Sequence, residues 1–360
     1  MSVKSAYIHI PFCKTICSYC DFCKFLYNEK WVYSYLDALS FEIENNYNKD
    51  KLDTIYVGGG TPSSLNIKEL KKLFNILKNF NLEEDYEFTI ECNIEDITKE
   101  KLELFKKNKV NRISIGIQTF NKKFLKQINR NKNVDVVKNI NLVKKYFDNI
   151  NVDLMYAFEN ETLSDLKKDI DEFLKLNINH ISCYSLIIEK NTKFYNDDVH
   201  NIDEDLDYEM YKLITDTLKK NGFIHYEISN YSKDGYKSRH NLTYWNNNQY
   251  YGFGVSASGY IDNKRYTNTK NIVKYNMFEN KKEEEILKEE DKMMYEMILN
   301  LRKMEGVNKK SFYDKYNKNI EDVFDIKKLL LDKYLIDDGD KIYINEKYLY
   351  ISNEILINFI

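Results

Sequence analysis

Pro11-Phe12-Cys13-Lys14-Thr15-Ile16-Cys17-Ser18-Tyr19-Cys20-Asp21-Phe22 places three thiols within eight residues, just after the strand-like segment Ala6-Tyr7-Ile8-His9-Ile10. Cysteine thiolates are the usual ligands of iron-sulfur clusters. Three on one tight loop hold three irons of a 4Fe-4S cube and leave the fourth open. A structural zinc site wants four closed ligands, usually as two separated pairs. No second pair exists here, since Cys23, Cys92 and Cys183 lie outside the run and the last two are isolated. The plain alternative is three unrelated thiols.

Downstream of the loop, residues 31–47 carry Tyr35, Leu36, Leu39 and Ile43 at helical spacing, and residues 52–57 read as a strand. Helices then alternate with strands: helix 67–78, strand 86–92, helix 99–107, strand 112–116, helix 134–146, strand 150–156, helix 163–176, strand 180–188, helix 204–221 and strand 224–230. Such βα alternation implies parallel strands with helical crossovers. The helices are amphipathic, for example Leu166, Ile170, Phe173 and Leu174 opposite Lys167, Lys168, Asp171 and Glu172. Seven strands counted from Ala6 predict an α/β fold, a partial TIM-like (β/α) barrel rather than a flat doubly wound sheet, with chemistry at the C-terminal strand ends.

Residues 231–262 break the alternation and are rich in Asn, Tyr and Gly. A charged hinge at 281–288 precedes a second unit: helices at 293–301, 309–316 and 325–333, a two-stranded wing at 335–345 around Asp338-Gly339, and a short helix at 352–357. We therefore divide the chain into a barrel with the cysteine loop (1–230), a barrel-closing extension (231–280) and a mainly helical, winged-helix-like C-terminal domain (281–360). That last domain is either a packing cap or a partner-binding module.

The length of 360 residues fits roughly two domains at about 150 residues each. Charged residues make up 31% with a formal net charge of -3, so no global basic field draws the chain to nucleic acid. No apolar run approaches the ~20 residues that span a bilayer, and the N-terminus lacks an apolar leader pattern. We expect a cytoplasmic protein with no integral membrane segment. Six cysteines in a chain this long are too few for a disulfide scaffold.

Gly58-Gly59-Gly60-Thr61-Pro62 follows a strand directly, which is either a plain tight turn or a place where backbone approaches a ligand closely. Thr89-Ile90-Glu91-Cys92-Asn93 ends the next strand with a carboxylate and an amide; Gln118 stands at the same place one strand later, Asp153 lies inside an apolar strand, and Arg130 lies between them. A buried Glu needs a cation or hydroxyl to offset its desolvation, whereas an exposed loop Glu needs nothing. Polar groups at successive strand ends of one barrel converge on one cavity, which strengthens the set.

The cysteine spacing C-x3-C-x2-C followed by an aromatic resembles the signature of the radical S-adenosylmethionine (SAM) superfamily. Together with Tyr7-Ile8-His9-Ile10-Pro11-Phe12-Cys13, the glycine motif, Glu91-Cys92-Asn93, the Gln118 strand, Tyr226-Glu227-Ile228-Ser229-Asn230-Tyr231 and Arg239-His240-Asn241 with Tyr244-Trp245, it resembles the oxygen-independent coproporphyrinogen III oxidase-like family, over nearly the whole chain. The resemblance implies a 4Fe-4S cluster on Cys13, Cys17 and Cys20, and SAM contacts from Tyr7, Tyr19, Gly59, Gly60, Thr61, Glu91, Gln118, Arg130 and Asp153. The oxidases carry a fourth cysteine two residues after the third, where this chain has Phe22. Cys-Asp-Phe and the His-Asn-x-x-Tyr-Trp run at 240–245 are similar instead to the heme chaperone branch.

That branch implies heme as a third bound group with His240 as its ligand, passage of heme to an unidentified acceptor protein, and a cellular electron donor. Read alone, a loop histidine beside Tyr244 and Trp245 is more often a packing residue than a ligand. Two further readings stand beside the chaperone: radical decarboxylation of coproporphyrinogen III, and a non-catalytic iron-sulfur interaction protein. Two departures from the family pattern are Asn93-Ile94 where Asn-Pro is usual, and Phe158-Glu159-Asn160-Glu161 in place of a Pro-Gly turn. The second alters a loop beside the implied SAM site. Cys23 is read as a replacement of a small polar residue.

Overall fold

A computed structural model describes residues 2–130 and 133–360. Six strands, β1 (Ser5–Ile10), β2 (Lys51–Gly59), β3 (Asn81–Asn93), β4 (Arg112–Gln118), β5 (Asn149–Tyr156) and β6 (His180–Ser185), pair in parallel in chain order. With β7 (Ile224–Glu227), β8 (Asn230–Ser232) and β9 (Tyr251–Phe253) they form one nine-stranded sheet in the order β9-β1-β2-β3-β4-β5-β6-β8-β7. Among the described residues the two edge strands do not pair with each other, so the barrel is partial.

Period-2 alternation sets the two faces of this sheet. Ile8 and Ile10, Ile55 and Val57, Phe88 and Ile90, Ile113 and Ile115, Ile150 and Val152, and Ile181 are buried in one continuous core with the covering helices. α1 (Glu29–Asn46) contributes Val32, Tyr35, Leu36, Leu39 and Ile43, and its first turn is capped by the Asn28 side chain. α2 (Ile67–Leu77) starts in a capping box of Asn66 and Glu69, which fixes where the chain leaves the glycine motif. Positions of the opposite parity carry Tyr56, Glu91, Asn93, Arg112, Ser114, Asn151, Asp153 and Ser182, and they line an internal cavity. Closed TIM barrels fill that space with Val, Ile and Leu. Here it is polar and open, which the strand-end residues alone did not foretell.

Two expectations need correction. The seventh strand, expected at 224–230, is an antiparallel hairpin of β7 and β8, because the chain turns at Ile228-Ser229 under the carboxylate of Glu227, which accepts from the Ser229 N-H at 3.3 Å. Its free edge is taken by the C-terminal unit: Ile228 N-H donates to the Arg302 carbonyl at 3.1 Å and Met304 N-H to the Tyr226 carbonyl at 3.2 Å. The charged stretch 281–288 is not a hinge either. Glu283–Ile286 pairs antiparallel with Lys264–Thr267, and Lys264 meets Glu284 across the ladder at 3.0 Å. An exposed edge strand tolerates such charge. Beyond it, the C-terminal unit has its own core of Met293, Met297, Leu301, Phe312, Ile320, Ile342, Ile344, Ile355 and Leu356, and a three-stranded wing of Val307–Asn308, Leu335–Asp337 and Lys341–Ile344.

Candidate cluster and cofactor site

The cysteine loop is closed at its base by a two-residue parallel pair, Phe12–Cys13 with Phe25–Leu26. His9 holds both ends of the loop: its Nδ1 meets the Tyr7 hydroxyl at 2.9 Å and its Nε2 the carbonyl of Cys23 at 2.8 Å. Across the mouth, Ser18 N-H donates to the Ile128 carbonyl at 3.3 Å, and Phe194 N-H donates to the Ser18 carbonyl at 3.0 Å. The loop is thereby fixed over the C-terminal ends of the strands. Cys13, Cys17 and Cys20 face a cavity of about 510 Å³ there, within the range of small-molecule sites.

Thr61 and two further side chains, Asn93 and Arg130, join two of these thiols in one hydrogen-bonded chain. Cys13 Sγ lies 3.5 Å from Thr61 Oγ1, Asn93 Nδ2 donates to Thr61 Oγ1 at 3.3 Å, Arg130 Nη2 donates to Asn93 Oδ1 at 2.9 Å, and Arg130 Nε donates to Cys17 Sγ at 3.2 Å. Arg130 also donates to the Gly116 carbonyl at 3.0 Å. Arg130 thus sets a positive charge directly against the sulfur of the loop's middle cysteine. Cys13 itself is pushed up to about 11 by burial, so it takes a metal to ionise it at neutral pH.

The glycine motif is required by the chain's own packing. Gly59 has φ +113°, and a Cβ there would meet the His9 ring at 2.5 Å; a Cβ on Gly60 would meet the Pro11 backbone at 2.7 Å. Gly59 N-H donates to Glu91 Oε2 at 3.0 Å while Tyr56 donates to Glu91 Oε1 at 2.7 Å. Gln118 reaches the cavity through a register shift between Gly116 and Gln118, and it holds φ +74°, a strained backbone of the kind that collects at functional sites. Asp153 accepts from Asn151 Nδ2 at 2.9 Å.

Of the sequence-derived set, Cys13, Cys17, Cys20, Tyr19, Gly59, Gly60, Thr61, Glu91, Gln118, Arg130 and Asp153 all line this one cavity. Tyr7 does not; it stands behind Tyr56, with ring centroids 6.2 Å apart. Tyr56, Arg112, Ser114, Asn151, Ser182 and Tyr184 line it too and were missed. Their signal was present as polar residues and tyrosines at alternate positions of β2, β4, β5 and β6, inside runs read only for their apolar members.

His240 departs from its expected setting. It lies on a helix, Arg239–Trp245, not on a loop, and is 1% exposed. Nδ1 meets Thr54 Oγ1 at 2.7 Å, Nε2 meets the Tyr244 hydroxyl at 2.7 Å, and the ring stacks on Tyr56 at 5.1 Å. Both nitrogens are engaged because the helix is drawn into the barrel by Glu87, whose carboxylate accepts the N-H groups of Arg239 and His240 at 3.0 Å each.

A model of the radical SAM superfamily matches residues 7–173. The heme chaperone HemW of Lactococcus lactis is 39% identical over 368 residues, covering 99% of this chain and 97% of that protein; HemW of Bacillus subtilis is 38% identical, with 99% of both covered. The chain belongs to the HemW heme chaperone family. Coproporphyrinogen III oxidase (HemN) of Escherichia coli shares the fold, with a TM-score of 0.87 over 99% of this chain and 90% of that one at 20% identity. Likeness at that identity speaks for the fold and not for the reaction.

Membership of the HemW family places the chain among radical SAM proteins, whose cofactors are a 4Fe-4S cluster and SAM. The donor set fits: the three thiols are free, on one fixed loop, beside a guanidinium. Among the described residues no three His, Cys, Asp or Glu side chains converge on a single ion, and a cubane does not ask them to, since each thiolate takes a different iron. In this HemW-family chain Phe22 lies at the cavity mouth, 63% exposed. No helix among the described residues is long and apolar enough to cross a membrane.

Burial pushes Glu91 up to about 7 and Asp153 up to about 6. In the unfolded chain these carboxyls ionise near 4, roughly. Folding therefore takes up protons between those values, and the stability tied to the raised pKa is full below about pH 4 and lost as pH rises through about 7. The cofactor-free protein is expected to unfold at lower urea at pH 8 than at pH 5, and Glu91→Gln to flatten that difference; an unchanged slope in the variant would remove Glu91 from the account.

Proposed function

We propose that this chain is a heme chaperone that holds a 4Fe-4S cluster on Cys13, Cys17 and Cys20 and SAM in the cavity beneath it, and hands heme to an acceptor protein. The chain of contacts from Cys13 through Thr61, Asn93 and Arg130 to Cys17 supports this reading most strongly, because it couples the metal loop to the residues expected around SAM. When bound, a cluster with one open iron supplies a chelation point for SAM and a one-electron donor, refilled by a cellular electron donor. Glu91 and Asp153 supply negative charge for a sulfonium and its ammonium or ribose groups. Gly59 and Gly60 bring backbone to the amino-acid end, and Gln118 offers a carboxamide at the same level. Tyr19 and Phe22 shield the mouth from water.

His240 is the proposed heme ligand. Burial lowers its pKa to about 3, so the ring is neutral, the form that binds iron. Ligation through Nε2 requires the Tyr244 hydroxyl to move aside. Titration of the reconstituted protein with heme tests this. His240→Ala is expected to weaken binding about tenfold or more, an effect of about 1.4 kcal/mol, and Tyr244→Phe to tighten it by freeing Nε2. Unchanged binding in His240→Ala removes the ligand assignment, and no binding by the wild type removes the chaperone reading.

A further inference from the structure

The inner face of the barrel pairs nearly all its polar groups with one another. Glu91 accepts from Tyr56 and Gly59, and Asp153 from Asn151. Asn151 Nδ2 also donates to Ser114 Oγ at 2.8 Å, and Asn151 Oδ1 lies 2.6 Å from His180 Nδ1 and accepts from Ser182 Oγ at 3.1 Å. His180 Nε2 meets the Tyr226 hydroxyl at 2.7 Å.

Arg112 is the exception. It is 2% exposed, it lines the cavity, and among the described residues its side chain forms no ion pair and its Nε has no hydrogen-bond partner. Its two register neighbours repeat the pattern: Thr89 on β3 and Asn149 on β5 pair with Arg112, and Thr89 Oγ1 and Asn149 Oδ1 are also buried without partners. Three orphaned polar atoms thus share one row at the deep end of the barrel.

Burial raises Glu91 and Asp153 and the charge of Arg112 works against that rise, so the guanidinium faces two carboxyl groups in this cavity although it bonds to neither. Its planar fork matches a carboxylate bidentately. Two features exclude the nearest alternatives. Arg112 opens β4, four residues before Gly116, so it lies roughly 13 Å along the strand from the level of the cluster loop, where the amino-acid end of SAM belongs. Glu91 and Asp153 share its cavity and repel a dianion, which disfavours phosphate.

We propose that the deep end of this cavity is a carboxylate site, in which Arg112 receives the carboxylate of a ligand other than SAM. Two sources share that chemistry, a tetrapyrrole propionate and a free small carboxylate. The tetrapyrrole source rests on the heme chaperone reading; the free carboxylate does not.

The test uses the full chain, reconstituted with cluster and SAM, and three probes: heme, heme dimethyl ester and sodium propionate. Charge-assisted hydrogen bonds of this kind contribute about 1.5 to 3 kcal/mol, or roughly tenfold to a hundredfold in affinity. For a propionate of heme, the wild type binds heme at least tenfold more tightly than the ester, and Arg112→Gln removes that preference while leaving ester binding unchanged. For a free carboxylate, heme and ester bind alike, and propionate raises the melting temperature of the wild type but not of Arg112→Gln. A wild type that binds no heme, but whose propionate shift disappears in Arg112→Gln, refutes the chaperone reading and keeps the carboxylate site. The proposal is overturned if the wild type neither prefers heme over its ester nor responds to propionate, a result that needs no variant to fold. It is equally overturned if Arg112→Gln melts lower while binding every probe as the wild type does, the signature of a purely structural residue.

Discussion

Alanine at Cys13, Cys17 or Cys20 is expected to reduce iron in the anaerobically reconstituted protein from about four atoms per chain to near none, and to abolish SAM binding with it. Each thiolate serves one iron, and the loop carries no spare ligand in their place. Cys23 is turned away: its sulfur lies 3.9 Å from the Lys270 carbonyl, and its own carbonyl is held by His9. Cys92 is on β3 and Cys183 on β6, both buried in the main hydrophobic core. Cys23→Ala therefore keeps the full iron content. Iron analysis and the visible absorbance of the cluster check both halves, and a Cys23→Ala protein without iron would show that the loop ligates differently. Among the three, Cys17→Ala also frees Arg130 Nε, so the bond from Arg130 to Asn93 should loosen even before metal is added.

Glu42→Ala is expected to destabilise the fold by about 3 to 5 kcal/mol, the cost of breaking a buried charge network. Glu42 sits about one turn from the C-terminal end of α1, 4% exposed, and accepts from Gly254 N-H at 2.8 Å, Tyr275 hydroxyl at 2.5 Å, Asn268 Nδ2 at 2.7 Å and Asn280 Nδ2 at 2.9 Å. One carboxylate thus gathers four donors from the extension. Its loss leaves the Gly254 N-H and the Tyr275 hydroxyl buried and unsatisfied at about 1 to 3 kcal/mol each before relaxation, while Asn268 Nδ2 keeps the Gly254 carbonyl at 2.8 Å. The effect reaches the site, because Gly254 follows β9, β9 pairs with β1, and β1 leads into the cysteine loop. Glu42→Gln keeps the volume and one acceptor, so a smaller loss is expected. Urea unfolding of both variants checks this; a loss below about 1 kcal/mol for Glu42→Ala would mean that other contacts hold the extension.

Much of this architecture was legible in the sequence, for physical reasons that differ by element. Strands β1 to β6 announced themselves because their helix-facing positions are Ile, Val and Leu and the intervening helices are strongly amphipathic. The cysteine loop was legible because thiolate spacing is set by cluster geometry and owes little to the surrounding fold. The hairpin of β7 and β8 was not, since its turn at Ile228-Ser229 has no glycine or proline and is fixed by Glu227 and by the distant Arg302 and Met304. Glu42 was invisible for the same reason: nothing within α1 reveals that Asn268, Tyr275 and Asn280 return to it. His240 was recognisable as a motif, but its burial depends on Glu87 and Thr54, residues more than a hundred positions away. Arg112 was overlooked because it stands at the first position of an apolar strand, where an exposed arginine would be unremarkable.

This radical SAM scaffold is expected to carry heme and not to decarboxylate a porphyrinogen. The most direct measurement incubates the anaerobic protein, with cluster, SAM and a reductant, with coproporphyrinogen III, and in parallel loads the same preparation with heme and mixes it with an apo heme protein. Heme bound and then transferred, with no protoporphyrinogen IX formed, is the predicted result. Conversion of coproporphyrinogen III to protoporphyrinogen IX, or heme that is neither bound nor passed on, would contradict it.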